Sequence, residues 1–209
     1  MAETSRARAG FHILLAAIAL NVAVAAIYPS VSLAGDPNNF SANEGNDNFG
    51  HLSQADVCGI EAIACGPTAA VNGFVYLQNR FPRIYGTKLT PTDSTSEVAT
   101  ALALASPSYM DTHGSGTLIN DFILGKEQYI SDATKGDIGA ATIVDAQVSP
   151  VFPGNETAGL PAGDMAEPTG AFLANQLIDK EATEILIFPV NNNDVQSGPG
   201  HYLTVVDLH

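Results

Sequence analysis

The chain has 209 residues, with 8 Lys and Arg against 22 Asp and Glu and a formal net charge of −14. So acidic a body repels phosphate backbones and anionic lipid, which argues against nucleic acid and charged membrane surfaces as partners. Charge of this kind says nothing about fold.

Arg6 and Arg8 precede an apolar run from Phe11 to Ile27, broken by His12 and Asn21. Ser32-Leu33-Ala34 then sets small residues at −3 and −1 before Gly35. This order is that of a secretory signal peptide over residues 1–34. An uncleaved membrane anchor is the alternative, because the run approaches the length that spans a bilayer. Cleavage predicts an exported protein, secreted or periplasmic, with no stable membrane partner. Removing 34 of 209 residues leaves 175, enough for one domain with a real core. Residues 35–50, rich in Asn, Asp, Ser and Gly, read as a flexible polar linker, and 51–209 as the domain.

In Ala64-Cys65-Gly66-Pro67-Thr68, one of the two cysteines adjoins a proline suited to the first helical position. Val71, Phe74 and Val75 follow at helical spacing, so a helix is expected to about Arg80, with Pro82 helping to stop it. Cys65 then sits at a helix N-terminus, where unpaired N–H groups and the macrodipole favour a thiolate. Gly66 lets the backbone approach whatever lies over the thiol. The plain alternative is a small buried apolar residue. A Cys58–Cys65 bridge, which would silence the thiol, is a second alternative. The spacing is not the Cys-x-x-Cys of a redox pair.

Further along, 85–96 reads as a polar connection, 97–105 as a second helix and 117–131 as a third, with Ile119, Phe122, Ile123 and Ile130 on one face. A strand is expected over 141–148, a Pro- and Gly-rich loop over 151–168, and a short helix over 171–180. Ile185–Val190 reads as a buried strand. After a turn over 191–200, residues 201–208 run back as its hairpin partner, opening on His201 in Gly198-Pro199-Gly200-His201-Tyr202. Helices first and strands later is an α+β order. Of five histidines, His201 is the one pinned between a turn and an apolar strand, where an imidazole can be held in one orientation.

Cys-Gly-Pro opening a helix and Gly-His-Tyr opening a strand, in this order, resemble the papain-like cysteine peptidases. The nearer likeness is to the bacteriocin-leader-peptidase-like (C39-like) branch, over roughly residues 53–209. The interval of 136 residues (201 − 65) falls in the range for papain-type Cys and His. The resemblance implies a papain-like fold, with a helical part carrying Cys65, an antiparallel sheet carrying His201, and the site between them. It also implies a thiol protease or amide hydrolase acting on a peptide or protein, with no cofactor and no metal. The family's oxyanion glutamine has one candidate, Gln54, set 11 residues before Cys65 (65 − 54) rather than at the usual shorter interval. Its Asn or Asp beyond the histidine has no counterpart in the eight residues after His201. Either the chain is truncated, or another group such as Asn191–Asn193 serves, or the site is a dyad, or it is inactive. The rival readings are a non-catalytic peptide-binding domain of the same fold and a structural domain with the Cys58–Cys65 bridge.

Overall fold

The computed structural model describes residues 14–21, 42–43, 48–91, 93–135, 143–148, 158–160, 169–178, 183–188 and 199–208. Its architecture is mixed α+β. Among the described residues the helices are α1 (Cys65–Arg80), α2 (Ser94–Leu104), α3 (Ile119–Thr134) and α4 (Gly170–Ile178). The strands are β1 (Leu14–Asn21), β2 (Ala42–Asn43), β3 (Ile143–Val148), β4 (Thr183–Phe188), β5 (His201–Val205) and β6 (Asp207–Leu208). No described helix is long and apolar enough to cross a membrane.

An antiparallel sheet runs in the order β3-β1-β4-β5, and β2 pairs with β6 in a second, two-stranded sheet. The expected hairpin is present, its register running from Thr183 opposite Val205 to Ile187 opposite His201. β1 lies within the apolar run expected to be a signal peptide, and here it is an inner strand with six residue pairs on each side. The expected cleavage site at Ala34 lies outside the described residues, as do Asn191–Asn193 and most of the 151–168 loop.

Alternation gives the hairpin two faces. Tyr202 stacks on Phe122 of α3 at 4.4 Å between ring centroids, Thr204 Oγ1 donates to the Ala69 carbonyl of α1 at 3.0 Å, and Leu186 is buried in the main core. Even-numbered positions of β4 and β5 thus face the layer of α1 and α3. On the other face, Val205 and Ile185 pack with Leu177 of α4.

Helix α1 departs from the amphipathic expectation. Of the residues from Gly66 to Gln78, all but Asn72 are buried. A helix buried on nearly every side belongs in the middle of a core, and α1 is enclosed by β5, α2, α3 and the 48–52 segment. It also begins two residues earlier than expected. Cys65 is the first helical residue and Pro67 the third, still within the turn whose N–H groups have no intrahelical acceptor.

Two polar stretches are more tightly packed than their composition suggests. Where it is described, the expected linker over 35–50 is structured: Ala42–Asn43 form β2, and the chain packs on α1 from Asn48. Phe49 is buried and stacks on Tyr76 at 4.3 Å, and Gly50 N–H donates to the Asn72 carbonyl. Within the 85–96 connection, Tyr85, Leu89 and Thr90 are fully buried. The buried Gln78 amide makes this tolerable: its Oε1 accepts from Leu89 and Thr90 N–H at 2.9 and 3.0 Å, and its Nε2 donates to the Thr90 carbonyl. Asp93 caps α2 by accepting from Ser96 N–H, so that helix starts at Ser94 rather than Glu97.

Candidate active site

Cys65 is held at the start of α1 by burial of the turn that follows it. The first intrahelical bond, from Thr68 N–H to the Ala64 carbonyl at 2.9 Å, leaves the Cys65 and Gly66 N–H groups before it. Cys65 is half-buried, Cys58 is exposed, and both are free. Gly66 is required for a reason other than the expected approach over the thiol. A Cβ there would sit 3.0 Å from Thr117 Oγ1 and 3.3 Å from the Phe122 ring, so the glycine lets α1 dock against the entry to α3. Thr117 in turn pairs with Thr112 through their hydroxyls at 2.7 Å.

His201 opens β5, which with β3 forms the edges of the four-stranded sheet among the described residues. Cys65, His201 and Gln54 all line one cavity of about 180 Å³, with Thr68, Asn72 and Thr204 among its other walls. The three residues singled out in the sequence are therefore brought to one place. No hydrogen bond joins the Cys65 thiol to the imidazole, and the exposed His201 ring has no partner among the described residues. The register accounts for this: His201 pairs with Ile187, and alternation puts both side chains on the α4 face, opposite Tyr202 and Thr204. Gln54 projects from a short 3-10 turn and donates through Nε2 to the Glu61 carbonyl at 2.6 Å.

No family model, curated protein or solved structure matches this chain.

The other described histidines lie elsewhere. His113 is exposed, its Nδ1 engaged with the Asp111 carbonyl. His51 borders a larger cavity of about 820 Å³ between the 49–52 segment, α1 and the start of α2, which contains neither Cys65 nor His201. Among the described residues, no three or more His, Cys, Asp or Glu side chains come together as metal ligands would. A second depression, of about 110 Å³, adjoins Cys65 on its far side, walled by Thr117, Leu186, Phe188, Gly200 and Tyr202. Gly200 is needed there, since a Cβ would fall 2.5 Å from the Phe188 ring.

Sequence reasoning passed over two members of this region. Asn72 receives Leu52 N–H at 2.9 Å and donates to the Leu52 carbonyl at 3.2 Å, tying the Gln54 segment to α1. Thr68 lies one helical turn beyond Cys65; that three-residue interval was the available signal.

Proposed function

We propose that the chain is an exported, thiol-dependent peptidase or amide hydrolase of papain-like architecture, with Cys65 as nucleophile and His201 as base. What supports this is the meeting of Cys65, His201 and Gln54 on one small cavity, with Cys65 at a helix start and His201 at the head of an edge strand. In this reading the Cys65 thiolate attacks a peptide carbonyl, and the carbonyl electrons move onto oxygen. The Cys65 and Gly66 N–H groups, joined by the second N–H of Gln54, receive that oxyanion. Collapse of the adduct breaks the C–N bond, His201 delivers a proton to the leaving amine, and water then releases the acyl group with His201 taking its proton. For this step the imidazole must turn from the α4 face toward the thiol, and β5 is an outer strand of the sheet among the described residues.

A second reading, a non-catalytic peptide-binding domain of the same fold, is favoured by one observation: the alternation that directs His201 to the α4 face. Alkylation by iodoacetamide near pH 6, followed by peptide mass spectrometry, separates the two. The peptidase reading expects Cys65 to react at least about tenfold faster than Cys58, an advantage lost in His201→Ala. Cys65→Ala is expected to abolish hydrolysis while Cys58→Ala leaves most of it. Equal rates at both cysteines, indifferent to His201, would leave the binding domain.

A further inference from the structure

Among the polar side chains lining the Cys65 cavity, most are already engaged. Asn72 is bound at both ends to Leu52, Thr204 donates to the Ala69 carbonyl, and Gln54 Nε2 donates to the Glu61 carbonyl. Thr68 is different. It is 7 % exposed, and its Oγ1 has no hydrogen-bond partner among the described residues. A threonine inside a helix ordinarily satisfies its hydroxyl on the carbonyl four residues back. Thr134 does so, donating to the Ile130 carbonyl at 2.8 Å. Thr68 does not use the Ala64 carbonyl in this way, although its own N–H does. A buried hydroxyl left without a partner is destabilising, and such a group on a cavity wall calls for an explanation beyond packing.

Resting on the peptidase reading, we propose that Thr68 Oγ1 is a substrate-binding group, donating to a backbone carbonyl of the peptide residue beside the scissile bond. Cys65 and Thr68 are three residues apart on α1, so they lie on one helix face, separated along the axis by about 4.5 Å. One residue of an extended peptide spans about 3.3 Å. A chain laid along α1 with its scissile carbonyl at Cys65 Sγ therefore brings its next peptide group to the level of the Thr68 hydroxyl. The ligand class is an extended main chain read through its carbonyl, with no demand on side-chain identity at this contact.

The test compares alkylation of Cys65 by acetyl-Ala-Ala chloromethyl ketone, which carries a peptide backbone, with alkylation by iodoacetamide, in the wild type, Thr68→Val and Thr68→Ser. The expected result is a loss of about tenfold in the second-order rate for the peptidyl reagent in Thr68→Val, the worth of one hydrogen bond. Thr68→Ser should retain the rate, and iodoacetamide should distinguish none of the three. Wild-type behaviour of Thr68→Val toward the peptidyl reagent overturns the assignment alone. A wild type that gains nothing from the peptidyl reagent over iodoacetamide overturns the peptidase reading and this contact with it. Because no partner is lost in the free protein, Thr68→Val should melt no lower than the wild type; a clear fall in Tm would show the hydroxyl to be structurally engaged and would equally overturn the proposal.

Discussion

Lys126 Nζ and Glu184 Oε2 meet at 2.6 Å with neither side chain exposed, joining α3 to β4 beneath the even-numbered face of the hairpin. Glu184 Oε1 has no partner among the described residues. Burial raises the Glu184 pKa above its ordinary value, and Lys126 only partly opposes the shift. Removing one member strands the other, so Lys126→Met should destabilise the fold by about 3–5 kcal/mol, whereas Lys126→Met with Glu184→Leu should cost much less. Urea midpoints of the three proteins would check this. The pH dependence has a definite sign. The folded chain holds the Glu184 proton more tightly than the unfolded chain, so this group's effect on stability is most favourable below about pH 4. It grows less favourable as pH rises through the folded value. Glu184→Gln should lack that component, seen as a shallower fall than the wild type as pH rises above about 4. Had the difference between the two proteins no pH dependence, Glu184 would not be shifted.

Helix α3 shows how close approach, rather than propensity, decides a residue. A Cβ on Gly125 would lie 2.5 Å from the Tyr109 carbonyl carbon and oxygen and 2.8 Å from Met110 N, all backbone. Alanine in a helix gains about 1 kcal/mol over glycine, yet the overlap should cost about 1–3 kcal/mol. Gly125→Ala is therefore expected to lower Tm, and a rise would show that the 109–110 turn yields freely. Much of this layer was legible in the sequence. Ile119, Phe122, Ile123 and Ile130 are the buried stripe that their spacing announced, and Lys126 occupies a position on that stripe. Cys65 at a helix start and His201 at a strand start were legible because Gly and Pro punctuate the chain beside them. Burial of Tyr85 and Leu89 was not, because it depends on Gln78 meeting their loop's backbone from another element. Nor was the direction of the His201 side chain, which is set by the partner of each strand residue rather than by either strand alone.

At the scale of the whole molecule, the four-stranded sheet depends on where residues 14–21 go. Export with cleavage expects secreted material to begin at Gly35, which mass spectrometry would read directly. Such a chain lacks β1, and β3 and β4 then stand two strand spacings apart, about 9.5 Å. A chain starting at Gly35 should accordingly unfold at a lower urea concentration than the full 209 residues; equal midpoints would show that β1 contributes nothing to the sheet. The position of β1 also matters during synthesis. It leaves the ribosome well before its partners, and Phe188, its last sheet partner, follows roughly 10–30 s later at about 5–20 residues per second. For that interval the strand is an unpaired apolar segment open to capture. Export as proposed would require this segment to be recognised at a membrane before β3 and β4 arrive to pair with it.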